Sequence, residues 1–453
     1  MTHESLISLV CMLVALAVPP AVFAVSQTPL EREVSEAYQR ADYGAVLRLL
    51  PPASSDVIAT ERLLRLALES ATKIGRPEEG LDIYERLLAR GHADDASLLR
   101  QLGVSFLSAY VRDSREYLRI AAYSALAELH LPDQRAIMED GLLDNSPVVR
   151  ARAVEALGHA GLASKSQPLR RALHDDSASV RIAAMNALSE AHVTDVMPRL
   201  IEVARTEDGP EGVFAYAALY RLGKEDMLSD ITGASTLPDP ETRMAALGVL
   251  GRLRRPSSLS VLSQGVYDPE PPVRAFAAGA LGDFRQPGAV APLTHALGDE
   301  HPRVRSVAAA SLGRVGAKDS RPLLQALTRD ASMQVRASAV EGLLRLGDQS
   351  AILIAADLAR HPDPSVRASS AQALSAASDK QALAILQTLL QDQQPQPRLF
   401  AAKALGKLAL PVLPLIKKGL HDSDPAVRVT AAGSLLHYLN STGKSSSRGG
   451  RKG

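Results

Sequence analysis

One arginine-centred pattern returns along most of the 453-residue chain at a spacing of 31 residues, with a last step of 30. A complete copy occupies residues 143–150 and reads Leu-Asp-Asn-Ser-Pro-Val-Val-Arg; Leu157 follows its arginine seven residues later. The frame position, which is arginine in every copy except the fourth, falls at Arg119, Arg150, Arg181, Gly212, Arg243, Arg274, Arg305, Arg336, Arg367, Arg398 and Arg428. Such self-similarity predicts a solenoid, in which stacked units build one continuous core.

Each unit has room for two helices joined by a polar turn. The first helix carries apolar residues at helical spacing, as at Leu293, Ala296 and Leu297. A turn with aspartate and often proline follows, as in residues 268–272, and the second helix holds the frame arginine, several alanines and the leucine. Because neighbouring helices pack about 8–10 Å apart, eleven units in line predict an open rod on the order of 100 Å long.

The turn aspartate, the Val-Arg pair, the alanines and the Ala-Leu-Gly sequence resemble the HEAT-like repeats of the phycobilisome-lyase type over about residues 110–439. The predicted fold is therefore an all-α, right-handed α-solenoid (superhelix) of eleven two-helix HEAT-like repeats. The resemblance also implies that turn aspartates and frame arginines form a structural hydrogen-bonded ladder between repeats. Its predicted members are Asp144, Arg150, Asp175, Arg181, Asp268, Arg274, Asp299, Arg305, Asp330, Arg336, Asp422 and Arg428.

Two further segments flank the solenoid, which we place at residues 109–439. Residues 25–108 look helical in a different frame: Leu99, Leu102, Gly103 and Phe106 resemble the first helix of a tetratricopeptide repeat, and residues 77–84 resemble a second. We predict a tetratricopeptide-like cap there. Residues 440–453, rich in serine, glycine, lysine and arginine, predict a flexible basic tail.

The N-terminus predicts export. Residues 6–25 are nearly all apolar, and Val22-Phe23-Ala24 offers a small-residue cleavage site, so residues 1–24 are interpreted as a signal peptide and the mature protein as bacterial and periplasmic. The alternative is an uncleaved membrane anchor, since about twenty apolar residues suffice to span a bilayer. Membrane contact is otherwise expected only through the basic tail.

Composition removes several functions. Lysine and arginine total 51 against 50 aspartate and glutamate residues, so no general attraction to nucleic acid is expected. The single cysteine, Cys11, lies in the signal segment, which leaves the mature chain without a thiol for a disulfide, a zinc site or a nucleophile. The resembling hydroxylase of the HEAT class uses several His-Glu pairs as iron ligands, whereas this chain has only His3-Glu4. We therefore predict no catalytic residue, metal or cofactor.

The second helix of each HEAT repeat generally lines the concave face, and the second, fifth and ninth positions after the frame share one side of that helix. This places Phe214 and Phe276 as apolar anchors, with a basic rim of Arg221, Arg252, Arg314 and Arg345. Aromatic and arginine side chains often supply interface hot spots, which favours a partner peptide with acidic residues. In the alternative interpretation, the small residues serve only helix packing and the arginines are solvated at the edge.

The predicted function is a non-catalytic protein–protein interaction scaffold of the cell envelope that binds a partner polypeptide on the concave face. The alternative from another class is a bilin-lyase-like enzyme or enzyme subunit, which the family resemblance implies.

Overall fold

The structure is a computed structural model that describes residues 28–53, 59–377, 379–408 and 410–449, with the backbone alone described for 443–449. Within these ranges the regular structure is helical and contains no strand, as the repeat pattern predicts. The chain divides into two compact units, an N-terminal unit (Met1–Asp94) and a repeat unit (Asp95–Gly453). The predicted signal segment lies outside the described residues.

The described part of the N-terminal unit contains four helices: α1 (Pro29–Gln39), α2 (Tyr43–Leu49), α3 (Glu61–Lys73) and α4 (Pro77–Leu88). Thr28 and Glu31 form a reciprocal capping box that starts α1, and the Thr60 hydroxyl donates to Glu31 over 2.7 Å. The unit ends at residue 94 rather than at the predicted 108. The segment that we assigned to the cap from Leu99 to Phe106 therefore belongs to the repeat unit.

The repeat unit alternates first and second helices. The first helices are α5 (Ala96–Tyr110), α7 (Arg135–Asp140), α9 (Gln167–Arg171), α11 (Met197–Thr206), α13 (Met227–Ala234), α15 (Leu259–Gln264), α17 (Val290–Ala296), α19 (Arg321–Leu327), α21 (Ala351–Leu358), α23 (Lys380–Leu389) and α25 (Leu413–Leu420). The second helices are α6 (Glu116–Glu128), α8 (Pro147–His159), α10 (Ala178–Glu190), α12 (Pro210–Arg221), α14 (Pro240–Leu253), α16 (Pro271–Phe284), α18 (Pro302–Val315), α20 (Met333–Arg345), α22 (Pro364–Leu374), α24 (Pro395–Lys407) and α26 (Pro425–Gly449).

Short 3-10 turns extend many of the first helices. They span Pro132–Gln134, Gly141–Leu143, Ala163–Lys165, Ala172–His174, Thr194–Val196, Pro256–Ser258, Gly265–Tyr267, Pro287–Ala289 and Lys318–Ser320.

The turn chemistry explains where the second helices begin. Most of them start with proline, whose fixed φ suits the first helical position and whose missing N–H would have no partner there. The preceding residue often caps the helix: the Asp239 carboxylate accepts from Thr242 N over 2.8 Å, and the Asp363 carboxylate accepts from Ser365 N over 2.8 Å. The Asp-Pro turn therefore sets the register of every second helix that carries it.

The second helices pack directly against one another, whereas the first helices of neighbouring repeats are barely in contact. Small residues make the close approach possible: a Cβ added at Gly313 of α18 would lie only 2.7 Å from Gly342 Cα of α20. Because the second helices are close together and the first helices are spread apart, the array curves with its second helices inside.

This curvature closes the array into a ring. The last second helix, α26, packs on both α5 and α6 of the first repeat. Arg100 donates to Asn440 over 2.7 Å, and a Cβ at Gly433 would lie 3.1 Å from Ala125 Cβ. The expected open rod is therefore wrong, because the small bend at each joint accumulates until the ends meet. We call this contact between α26 and the α5–α6 pair the seam.

The C-terminal segment also differs from the prediction. Helix α26 does not end near Leu439 but continues to Gly449 through part of the expected flexible tail. The Arg100–Asn440 hydrogen bond lies on this extension, and the hydroxyls of Ser441 and Thr442 donate to the Tyr438 carbonyl. In the described ranges, none of the helices is long and apolar enough to cross a membrane.

Candidate protein-binding surface inside the ring

A ladder of ion pairs joins consecutive repeats at the turns. Arg305 donates from Nε and Nη2 to both carboxylate oxygens of Asp330 in the next repeat, at 2.9 Å each. Its Nη1 also donates to the carbonyl of Asp299 in its own turn over 2.8 Å. Both members of the pair are largely buried. One guanidinium thus fastens its own turn and the following one.

The same bidentate ion pair recurs between other repeats, with the aspartate 24 or 25 residues after the arginine. It joins Arg119 to Asp144, Arg150 to Asp175, Arg243 to Asp268, Arg274 to Asp299, Arg367 to Asp392 and Arg398 to Asp422. Hydrogen bonds from Arg305 and Arg367 hold the pKa values of Asp330 and Asp392 below the ordinary aspartate value.

Three of the proposed ladder arginines find other partners. Arg181 pairs with Glu211, which occupies the position before Gly212, and its Nε lies 2.6 Å from the carboxylate. Arg336 donates from Nε to the Asp330 carbonyl, and the position where its acid would stand holds a histidine, His361. Arg428 lies at the seam, where its Nη2 donates to the Tyr110 hydroxyl over 2.6 Å.

The second helices line the inside of the ring. The second, fifth and ninth positions after the frame lie on the accessible side of these helices and therefore face the opening. Phe276 is 43% exposed there and lies against Gly248 of the preceding repeat, where a Cβ would be 2.7 Å from its ring. Because Gly248 has no side chain, the Phe276 ring can pack directly against the helix that carries Gly248. A groove of about 430 Å³ surrounds Phe276, and Val307, Arg252 and Asp283 also line it.

Phe214 is half-buried and lies under the guanidinium of Arg252, whose Cζ is 5.6 Å from the ring centroid. Together with Asn186 and Glu190, these two residues line a second groove of about 470 Å³. Arg252 therefore borders both grooves, and the structure brings Phe214, Arg252 and Phe276 onto one surface. We call these three residues the aromatic–arginine patch.

The predicted basic rim is not present as a row of free charges. Arg221 lies 3.9 Å from Glu190 and donates to Asn186 over 3.1 Å, and burial lowers its pKa. Arg314 lies 3.6 Å from Asp283, and burial lowers its pKa as well.

Arg345 donates to Glu341 of its own helix over 3.0 Å. Within the described residues, Arg252 has no such carboxylate partner. The reason is positional: Arg221 and Arg314 reach back to an acid at the ninth position of the preceding repeat, whereas Arg252 meets another arginine, Arg221, there.

The structure also assembles a site that sequence reasoning missed. At the seam, Lys403 of α24 donates to Glu128 of α6 over 2.9 Å and bridges across α26. Beneath this bridge lies a recess of about 210 Å³ whose wall includes Lys407, Gly433 and His437. Lys407 stands at the ninth position after its frame arginine, but the open rod expected from the sequence would have put Lys403 and Glu128 at opposite ends.

No group of three or more histidine, cysteine, aspartate or glutamate side chains suited to a metal ion occurs in the part of the chain that the structure describes.

Comparison with known families identifies the repeats. A family profile described as HEAT repeats matches residues 104–189, 140–213, 261–330 and 320–398, which together make up more than half of the chain. This match confirms the predicted type of repeat. A search of curated protein sequences finds no match.

Solved structures with a similar fold include human deoxyhypusine hydroxylase, which is 19% identical with a TM-score of 0.32 over 56% of this chain and 99% of that one. The CpcE–CpcF complex of phycocyanin lyase from Nostoc sp. PCC7120 is also 19% identical, with a TM-score of 0.37 over 53% of this chain and 94% of that one. Kap121p is 14% identical, with a TM-score of 0.34 over 99% of this chain and 55% of that one. At these values the likeness concerns the helical-repeat fold and says nothing of function.

Proposed function

The chain belongs to the HEAT-repeat family, and from that premise we propose that it is a non-catalytic scaffold that binds another protein on the inner face of its ring. HEAT solenoids are suited to protein–protein interaction because they present extended concave surfaces. The observation that carries the proposal is the aromatic–arginine patch, where exposed Phe276 lies beside Arg252, a cation that has no carboxylate within 4.0 Å in the described part of the chain. Aromatic and arginine side chains of this kind are the usual anchors of protein interfaces.

The chemistry of the patch indicates the partner. Phe214 and Phe276 offer apolar contact, while Arg252 offers hydrogen-bond donors that no carboxylate of the described chain satisfies. A partner segment with an apolar side chain beside an acidic one satisfies both requirements. The other arginines of the expected rim add little to this attraction, because Glu190, Asp283 and Glu341 already neutralise them.

A capture experiment with a matched control tests the proposal. The full-length chain with a C-terminal tag serves as bait in a cell-envelope extract, beside a Phe214→Asp, Phe276→Asp variant. The control variant carries Leu323→Asp and Leu353→Asp, which introduce the same charges at exposed leucines of the first helices α19 and α21. We expect one stoichiometric polypeptide on the wild-type and control baits and none on the inner-face variant.

Equal capture by the inner-face and control variants would show that the patch is not the binding surface. Far-ultraviolet circular dichroism of both variants checks that the repeats are still folded. A copurifying tetrapyrrole, in place of a polypeptide, would favour the bilin-lyase alternative over the scaffold.

We also propose that the scaffold works in the cell envelope, which rests on the apolar N-terminal segment and its Val22-Phe23-Ala24 sequence. N-terminal sequencing of the protein recovered from the periplasmic fraction is expected to begin at Val25. A chain that retains residues 1–24 and fractionates with membranes would support the anchored alternative.

A further inference from the structure

The size of the opening limits what enters the ring. Eleven second helices about 9 Å apart give a circle of axes about 30 Å across, and half a helix diameter on each side leaves about 20 Å. Many of the residues that line the opening are small, such as Gly248, Gly279, Ala310 and Gly433, so their side chains take up little of its width. A single α-helix with its side chains is about 10–12 Å wide and fits this space. A folded domain of 100 residues, with a radius of gyration of about 13 Å, does not.

At the second, fifth and ninth positions of the described second helices, the charges leave two cations unmatched. The described side chains at the second, fifth and ninth positions include five carboxylates, and each has an arginine or lysine within 4.0 Å. The pairs are Glu128 with Lys403, Glu155 with Arg152, Glu190 with Arg221, Asp283 with Arg314, and Glu341 with Arg345. Among the described residues, Arg252 and Lys407 have no carboxylate within 4.0 Å, so a complementary occupant brings its own.

These two cations stand on opposite sides of the opening. Both occupy the ninth position of their second helices, and five joints of about 33° each separate α14 from α24 in a ring of eleven. They are therefore at the same level and about 160° apart around the ring. Lys407 also borders the seam recess, whose volume of about 210 Å³ leaves room for an entering side chain.

We propose that one α-helix of the partner protein passes through the ring and presents two carboxylates on opposite faces, one to Arg252 and the other to Lys407 at the seam recess. Two residues that are two positions apart in a helix point about 200° away from each other with a rise of about 3 Å, which matches this spacing. The inference rests on the proposed function, since it names the part of the partner that enters the ring.

Binding of synthetic helices tests the charge arrangement. The probe is a fluorescent, alanine-rich helical peptide of 20 residues with two central glutamates two positions apart, and its control has the same composition with the glutamates four positions apart. Anisotropy titrations should show tighter binding of the first peptide. Arg252→Gln and Lys407→Gln should each weaken it by about tenfold, whereas Arg329→Gln, at an exposed turn after α19, should leave it unchanged.

A second readout tests passage through the ring. The same peptide with biotin at both ends is bound to the protein, streptavidin is added, and dissociation is followed against a singly biotinylated peptide. Because streptavidin is wider than the opening, a threaded peptide with two caps should dissociate at least tenfold more slowly.

Equal dissociation rates, or binding that ignores both charge substitutions, would overturn the threaded helix. The capture experiment on Phe214 and Phe276 separates this failure from that of the scaffold. A polypeptide captured through the aromatic–arginine patch, together with failure of the helix tests, would leave the proposed function standing without a helix in the ring.

Discussion

The joint between α18 and α20 and the seam between α26 and the first repeat perform the same task with different residues. The ordinary joint has a bidentate ion pair, Arg305 with Asp330, and a contact between two glycines, Gly313 and Gly342. At the seam, the corresponding arginine, Arg428, donates to a tyrosine hydroxyl, and Leu436 lies against Gly103. Bidentate arginine–aspartate pairs thus join most of the interior repeats. At the seam, an arginine–tyrosine hydrogen bond, apolar packing and the Lys403–Glu128 ion pair close the ring.

Low pH should produce the largest difference in stability between the arginine–aspartate joints and the Arg428–Tyr110 contact at the seam. The pKa values of Asp330 and Asp392 are lowered by their arginines, so their stabilisation is complete above the unfolded value of about 4 and is lost as the pH falls through the folded values. The Arg428–Tyr110 bond has no carboxylate to protonate. We expect the urea midpoint to be constant from about pH 7 to 5 and to fall steeply by about pH 3. A midpoint that stays constant down to pH 3 would argue against the ladder as a source of stability.

Removal of one ladder arginine should have the next largest effect. Arg305→Ala leaves the largely buried Asp330 carboxylate without its partner and should lower the free energy of unfolding by about 3 kcal/mol. Arg336→Ala is the matched control, because in the described part of the chain the Arg336 guanidinium donates only to the Asp330 carbonyl. This substitution should cost about 1 kcal/mol. Urea denaturation at neutral pH measures both, and equal losses would contradict the role of the carboxylate.

Overpacking the seam should have a smaller effect. A Cβ at Gly103 would lie 2.9 Å from Leu436 Cγ, so Gly103→Ala should cost about 1–2 kcal/mol and loosen the closure. Gly233→Ala in α13 meets nothing within 4 Å and should instead stabilise the protein by about 0.5–1 kcal/mol. Opposite signs in urea denaturation are the expected outcome, with a larger radius of gyration in small-angle scattering for Gly103→Ala. Two stabilised variants would mean that the seam is loosely packed.

Loss of the Arg428–Tyr110 hydrogen bond at the seam should have the smallest effect. Tyr110→Phe removes the acceptor of Arg428 and should cost about 1 kcal/mol. Tyr117→Phe, at a tyrosine that is 53% exposed, provides the matched control and should be neutral. If Tyr110→Phe lowered the free energy of unfolding as much as Arg305→Ala does, the seam and the interior joints would not differ in the way described.

The two joints also differ in how far the sequence predicts them. Asp330 follows Arg305 by 25 residues, and the same spacing recurs along the chain, so the period alone pairs them. Tyr110 and Arg428 are 318 residues apart, and Tyr110 belongs to no repeated position. Closure depends on the bend at every joint, and a small error in each adds up around eleven units. The family and the repeat were therefore predictable, whereas the ring was not.

The inner face was predictable only in part for a similar reason. Phe276 was placed correctly on the accessible side of its helix because helical periodicity fixes the face. The charge state of the surface depends on which residue stands at the same position one repeat earlier. Glu190 neutralises Arg221 and Asp283 lies beside Arg314, but Arg221 itself stands before Arg252. A comparison of adjacent repeats at the ninth position would have singled out Arg252.

Closure of the ring also constrains how the protein can evolve. An open solenoid gains or loses units by duplication or deletion in its gene, because each unit contacts only its neighbours. Here the packing of α26 on α5 and α6 fixes the sum of all the bends. Deletion of one unit would require each remaining joint to turn by about 3° more, and the backbone contact between Gly313 and Gly342 leaves little room for that. Ring closure therefore constrains the number of repeats, whereas the residues that face the opening are free to change.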